Sequence, residues 1–178
     1  RIVIIAAGTS FYAGLIGRYW IEKMCNLNVS VEIASEYRYR NPSVEGFSTA
    51  IAITQSGESL DTLMALRYAK ELGLNTNAIV NVKGSTIDRE VNYSLHTNVG
   101  PEIGVASTKS FTAQLLVLFL IAISLGKKFN NIKIDEIEKY IKYINMLPGA
   151  IAQMLEIENQ IISTSQNIKN SKSIIFLG

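Results

Sequence analysis

The sequence predicts an α/β fold in which a parallel β-sheet is covered by helices on both faces. Two observations support this prediction. Short apolar segments rich in β-branched residues alternate with longer segments whose apolar residues recur every three or four positions. Polar, glycine-containing stretches also follow the clearest apolar segments and lead into helices. Such alternation is typical of parallel sheets with right-handed crossovers, whose central strands are buried on both sides.

The first unit is a strand followed by a helix. Residues 2–7 form an unbroken apolar run, which predicts a strand buried on both faces. Gly8 ends this run, and residues 11–27 carry apolar side chains at helical spacing. We therefore expect Thr9 and Ser10 to lie in a loop just before the helix.

The same pattern repeats through the first half of the chain. Further strands are predicted at residues 29–33, 50–53, 78–80 and, more weakly, 94–97. The polar segment 54–59 precedes a helix over residues 60–72, with Gly73 as its stop. The alternation of residues 29–33 favours a position near the sheet edge.

The second half is predicted to be helical. An apolar helix follows Val105 and ends at Gly126, and we expect it in the core or at a subunit contact. Its most apolar stretch, residues 115–125, has about half the roughly 20 residues that span a bilayer, so we interpret it as a buried helix. Residues 134–168 form two helices or one kinked helix, interrupted at residues 147–149 around a proline.

This pattern predicts three parts: a domain over residues 1–126, a helical connector over 127–172, and the start of a second β-loop-α domain at 173–178. The last segment is an apolar run ended by glycine, like the first one. A final edge strand of the same sheet is the alternative. Because the first residue is an arginine, we expect a fragment of a longer protein.

Composition excludes several classes of protein. Seventeen basic and fifteen acidic residues leave a net charge of +2, which does not predict a nucleic-acid-binding stripe. One cysteine and one histidine exclude an internal disulfide and the usual zinc sites, and we expect a cytosolic protein with no metal or cofactor. The P-loop and G-x-G-x-x-G patterns are both missing, so nucleotide binding has no support.

Two hydroxyl-rich segments follow strands of the predicted sheet, where open α/β sheets bind ligands. One contains Thr9 and Ser10, and the other is residues 54–59. Unpaired amides at a helix N-terminus attract phosphate without any lysine, and hydroxyls add donors. The alternative is ordinary helix capping by serine and threonine. Glu58 and Asp61 would repel a phosphate, so a site here requires that they point away.

A third polar segment, residues 100–109, precedes the long apolar helix. Ser107, Thr108 and Lys109 offer donors to a ligand, or alternatively form a helix entry with a capping hydroxyl and a solvated lysine. Glu102 is either a general base or a surface residue, and a single unpaired carboxylate favours the surface role.

Four segments together resemble the glutamine:fructose-6-phosphate amidotransferase family, the glucosamine-6-phosphate synthases. The segments are Ala7-Gly8-Thr9-Ser10, residues 31–40, residues 55–59 with Asp61-Thr62, and residues 102–109. The likeness covers the whole chain and corresponds to the first of two sugar isomerase (SIS) domains. It implies a five-stranded parallel sheet flanked by helices, a flavodoxin-like three-layer sandwich.

The resemblance also implies a substrate site. The phosphate of fructose 6-phosphate or glucosamine 6-phosphate would be held by Thr54, Gln55, Ser56 and Ser59. The sugar would contact Ser10, with Thr9 beside it, and the main chain near Val105 and Ser107. No metal or cofactor is implied.

The family converts fructose 6-phosphate and glutamine to glucosamine 6-phosphate and glutamate in hexosamine biosynthesis. Its glutaminase domain and most of its catalytic groups belong to parts outside this sequence, so the resemblance implies a weakly binding, inactive fragment of a cytoplasmic homodimer. We expect neither nucleic acid nor membrane as a partner. The alternatives are a SIS sugar-phosphate isomerase or deglycase, and a SIS module that senses a sugar phosphate.

Overall fold

A computed structural model describes residues 1–104 and 107–175 of the chain. Two compact units are present, residues 1–133 and residues 134–178. The first contains a five-stranded parallel sheet with the strand order β2-β1-β3-β4-β5. Its strands are β1 (Ile2–Ala6), β2 (Val29–Ile33), β3 (Thr49–Thr54), β4 (Asn75–Val80) and β5 (Tyr93–His96). The predicted five-stranded α/β fold is therefore confirmed.

Five helices flank this sheet. They are α1 (Gly8–Cys25), α2 (Ala34–Tyr37), α3 (Leu60–Glu71), α4 (Thr86–Glu90) and α5 (Lys109–Lys128). The short helices α2 and α4 were not predicted, because one turn is too short to show helical periodicity. Tyr37, in α2, has a relative exposure of 1% and is a core residue.

Strand β1 is apolar throughout, and β3 is apolar between its terminal threonines, because helices cover both faces of these strands. Ile4 and Ile5 point to opposite faces of β1, and both are fully buried. On one face α1 lies close to the sheet, since a Cβ at Gly14 would come 2.9 Å from Ile4 Cγ2. On the other, Ile5 and Ala50 pack in one cluster with residues of α2 and α3.

Helix α5 packs against α1 at positions where glycine allows a close approach. A Cβ at Gly17 would meet the side chain of Leu118 at 2.9 Å, and a Cβ at Gly126 would lie 2.8 Å from the backbone oxygen of Met24. The prediction that Gly126 ends the helix is wrong, because α5 continues to Lys128. Gly126 serves close packing rather than helix termination.

One face of α5 is buried and the other is partly exposed. Ser110, Gln114 and Leu118 on the buried face have relative exposures of 1% or less, whereas Leu116 and Leu120 are exposed. By length and composition alone, α5 is the one helix in the described ranges that could cross a membrane. The prediction of a buried helix therefore holds for the face that contacts α1.

The second unit contains helices α6 (Ile134–Leu155) and α7 (Glu158–Ile168). The prediction of a break at residues 147–149 is wrong: Pro148 lies inside α6, and the chain leaves the helix at Glu156 and Ile157. Proline removes one backbone donor, a cost that here does not end the helix. Residues 173–175 form no strand, and 176–178, the rest of the predicted start of a second domain, lie outside the described residues.

Candidate functional site

Three polar segments meet in one cavity at the carboxyl ends of β1 and β3. The cavity has a volume of about 270 Å³, and its lining residues are Ala7, Gly8, Thr9, Ser10, Gln55, Glu102, Gly104 and Ser107. Four predicted site residues are among them: Thr9, Ser10, Gln55 and Ser107. The fold therefore brings together segments that lie up to about a hundred residues apart in the chain.

The other predicted site residues do not line this cavity. Thr54, Ser56 and Ser59 belong to the same strand-to-helix segment as Gln55 but are not among the residues that line the cavity. Val105 lies outside the described residues. A larger cavity of about 450 Å³ lies between β5 and α5, and five of its seven lining residues are aliphatic, the other two being His96 and Ser124. It offers few donors to a phosphate, so we place the candidate site at the polar cavity.

Thr9 and Ser10 lie in the first turn of α1, not in a loop before it. Ala7 is the residue that precedes the helix, and Gly8 has a φ of 57°, which lets the chain turn from β1 into α1 at once. The prediction that Thr9 and Ser10 lie in a loop before the helix is therefore wrong. Because Ala7 occupies the capping position, neither hydroxyl caps this helix, and the side chains of Thr9 and Ser10 line the cavity instead.

The segment between β3 and α3 is held in shape by its own hydroxyls. Thr54 Oγ1 accepts a hydrogen bond from Gly57 N–H at 3.3 Å, and Ser56 Oγ accepts one from Glu58 N–H at 3.1 Å. Gly57 has a φ of 69° and is buried. These contacts give the segment a fixed conformation before a ligand binds.

The N-terminus of α3 is not capped by a side chain. Ser59 stands at the capping position but makes no capping hydrogen bond, and its hydroxyl accepts one from Thr62 Oγ1 at 3.3 Å. Within the described part of the chain, the amides of residues 60–62 donate to no protein acceptor. Unpaired donors and the positive end of the helix dipole favour an anion there over simple capping.

Glu58 does not face the cavity. Its carboxylate accepts a hydrogen bond from Thr86 N–H at 2.8 Å, at the start of α4, and the contacts with Thr86 hold the pKa of Glu58 below its usual value. Asp61 is exposed and does not line the cavity. The condition that these acidic residues point away is met for Glu58 by a specific contact.

Glu102 faces the cavity and ties together the segment that enters α5. Its carboxylate accepts hydrogen bonds from Ser107 Oγ at 2.8 Å and from Thr108 N–H at 2.9 Å. The nearby Ser110 and the hydrogen bonds from Thr108 and Ser107 lower the pKa of Glu102 to about 2. A carboxylate with a lowered pKa that already accepts several hydrogen bonds is a poor general base, which favours a structural role for Glu102.

Lys109 completes this segment. Its Nζ donates to the backbone oxygen of Pro101 at 2.6 Å, and the side chain is exposed, as expected of a solvated lysine. The sequence indicated Glu102 and Lys109 only as isolated charges. Their partners lie five to eight residues away in irregular structure, where no periodicity marks a contact.

The single histidine and cysteine lie outside the cavity. His96 Nε2 is 2.9 Å from Asp88 Oδ1, and Ser94 donates to the same oxygen. Cys25 is buried, its thiol donates to the backbone oxygen of Ala122 at 3.3 Å, and burial raises its pKa. Across the described residues, no three acidic, histidine or cysteine side chains could hold a metal ion.

The family model and the relatives that match this chain agree with each other. Residues 1–124 match the model of the SIS domain. Over its whole length the chain is 42% identical to glutamine–fructose-6-phosphate aminotransferase [isomerizing] from Fusobacterium nucleatum and 46% identical to that from Chlorobaculum tepidum. It covers 29% of each of these relatives.

A solved structure agrees with these relatives. The C-terminal domain of glucosamine-fructose-6-phosphate aminotransferase from Francisella tularensis matches with a TM-score of 0.94 and 39% identity. The match covers 99% of this chain and 50% of that one. The predicted resemblance is thereby confirmed, and the chain is similar to roughly half of that C-terminal domain.

Proposed function

Because the chain belongs to the SIS domain family, we propose that it is the sugar-phosphate-binding domain of a glutamine–fructose-6-phosphate aminotransferase. The observation that carries the proposal is the polar cavity, whose lining includes Gln55 from the segment that leads to the uncapped N-terminus of α3. The confirmed resemblance to aminotransferases over the full chain selects this member of the family over an isomerase, a deglycase or a sensing module.

The phosphate group binds at the segment 54–59 and the first turn of α3. The donors there are the amides of residues 60–62 and the side chains of Gln55, Ser56 and Ser59. Both serine hydroxyls accept hydrogen bonds within the segment, so their own hydrogens remain for the phosphate. No lysine or arginine is among the described residues that line the cavity, so main-chain dipoles and neutral donors supply the attraction.

The sugar occupies the cavity itself. Thr9, Ser10 and Ser107 offer hydroxyls, and Glu102 offers an ionised acceptor to sugar hydroxyls. Glu102 is the only titratable group in the described lining, and with a pKa near 2 it does not exchange protons at neutral pH. This domain therefore binds and orients the sugar phosphate, and the groups that move protons come from elsewhere in the parent chain.

In the parent protein, ammonia released from glutamine converts bound fructose 6-phosphate to glucosamine 6-phosphate. The chain spans less than a third of its curated relatives, which leaves room for a glutaminase domain and a second SIS domain. We propose a cytoplasmic homodimer as the active form and no activity for this domain alone. Glutamate production that depends on fructose 6-phosphate in the full-length protein tests this assignment; conversion of the sugar without glutamine would indicate an isomerase instead.

Calorimetric titration tests the binding site. Glucosamine 6-phosphate and fructose 6-phosphate should bind, and glucosamine should not. The double variant Ser56→Ala, Ser59→Ala should lose about 100-fold or more in affinity, because each hydroxyl donates to a charged phosphate. The matched control is Ser163→Ala, Ser171→Ala, which removes two exposed hydroxyls in the second unit. Equal binding of glucosamine and its 6-phosphate, or equal losses in both double variants, would contradict the proposal.

A further inference from the structure

Glu102 gives the part of the cavity wall that precedes α5 a negative charge, which the part contributed by Gln55 before α3 lacks. Its Oε2 accepts a hydrogen bond from Ser107 Oγ at 2.8 Å. Its Oε1 accepts from Thr108 N–H at 2.9 Å and from Thr108 Oγ1 at 3.3 Å. Both carboxylate oxygens therefore accept hydrogen bonds from Ser107 or Thr108, and Glu102 is tied to the residues just before α5.

The bond from Ser107 also fixes which way its hydroxyl points. A serine hydroxyl has one hydrogen and two lone pairs, and here the hydrogen is directed at Glu102. The lone pairs of Ser107 remain for a ligand in the cavity, which both residues line. This part of the cavity consequently presents acceptors and a negative charge, whereas Gln55, from the segment that precedes α3, brings an amide donor to the lining.

We propose that Glu102 is a positioning and specificity residue: it holds Ser107 at the cavity as an acceptor and makes that end of the site reject a second phosphate. The proposal rests on the proposed function and deepens it, since it states which end of the sugar faces which wall. A sugar monophosphate places its phosphate at α3 and its hydroxyls at Glu102 and Ser107. A sugar bisphosphate would bring an anion against Glu102, where like charges repel.

Glu102→Gln keeps the size of the side chain but removes the charge and one acceptor oxygen. In the full-length parent protein, we expect this variant to weaken fructose 6-phosphate binding roughly tenfold, because a hydrogen bond to a charged group is lost. Fructose 1,6-bisphosphate should bind no more weakly than to the wild type, so the preference for the monophosphate falls. Glu71→Gln, which removes an equal charge at an exposed position on α3, should change neither affinity.

The hydrogen bond from Thr108 N–H to Glu102 is tested without any ligand. Hydrogen exchange, followed by mass spectrometry on a peptide containing Thr108, should be slow in the wild type, fast in Glu102→Ala and intermediate in Glu102→Gln, which retains one acceptor. Equal exchange in all three proteins would overturn the proposal, as would equal weakening of both ligands in Glu102→Gln. If the wild type binds neither sugar phosphate but the three proteins differ in exchange as expected, the proposed function and the specificity role are refuted. Only the role of Glu102 in holding Ser107 and Thr108 would then be established.

Discussion

Replacing Gly57 by alanine should destabilise the protein by about 2–5 kcal/mol, and the structure supplies both parts of this figure. Gly57 has a φ of 69°, a left-handed conformation that costs a residue with a Cβ about 1–2 kcal/mol. The added Cβ would also lie 2.5 Å from Ser85 Cβ and 2.9 Å from Val80 Cγ2. Overpacking of this kind costs about 1–3 kcal/mol.

Urea unfolding followed by circular dichroism measures this change, and a second variant separates its two parts. Ser85→Gly removes the side chain that the new Cβ would meet. Ser85 Oγ is buried with no hydrogen-bond partner in the described structure, so its removal leaves no polar group unpaired. In the Ser85→Gly background, Gly57→Ala should cost less than in the wild type, because only the conformational part, about 1–2 kcal/mol, and the close contact with Val80 Cγ2 remain. A cost below about 1 kcal/mol in the wild-type background, or the same cost in both backgrounds, would refute the reasoning.

Two further predictions concern the packing of the core and the loss of stability at acidic pH. Leu118→Ala, at a fully buried position of α5 against Gly17, should cost about 2–5 kcal/mol in the same urea assay, and a loss below about 1 kcal/mol would mean that the helices repack. Hydrogen bonds from Ser94 and Gly84, with His96 nearby, hold the pKa of Asp88 below its ordinary value of 3.8. The ionised Asp88 therefore stabilises the folded protein above that value, and this stabilisation is lost as the pH falls through the lower folded-state pKa. Asp88→Asn should consequently reduce the decline in unfolding free energy between about pH 5 and 2. An equal decline in the wild type and the variant would contradict this.

The strands of the sheet could be predicted because their signal is local. Residues 2–6 and 49–54 are apolar at nearly every position since both faces of these strands are covered, and no distant residue is needed to recognise them. The helices α1 and α3 carry their periodicity in the same local way. The boundaries were less accurate: Gly126 resembles a helix stop in sequence, but its role is set by the backbone of Met24 about a hundred residues away.

In the candidate site too, some features could be predicted from the sequence and others depend on the tertiary structure. Its hydroxyl-rich segments were visible in the sequence because they follow strands, and parallel strands bring their carboxyl ends to one edge of the sheet. The assignment of individual substrate contacts came from the family resemblance and stays a prediction. The direction of Glu58 toward Thr86, and of Glu102 toward Ser107 and Thr108, follows from hydrogen bonds outside any regular repeat.

The sequence by itself determined the fold class, the position of the strands and the family, since each depends on composition and order along the chain. Only the tertiary structure decided which polar residues share the cavity, which carboxylates face it and why α5 continues past Gly126. The physical reason is that these features depend on contacts between distant segments. A charge or a glycine has no fixed role until packing brings its partner within a few ångströms.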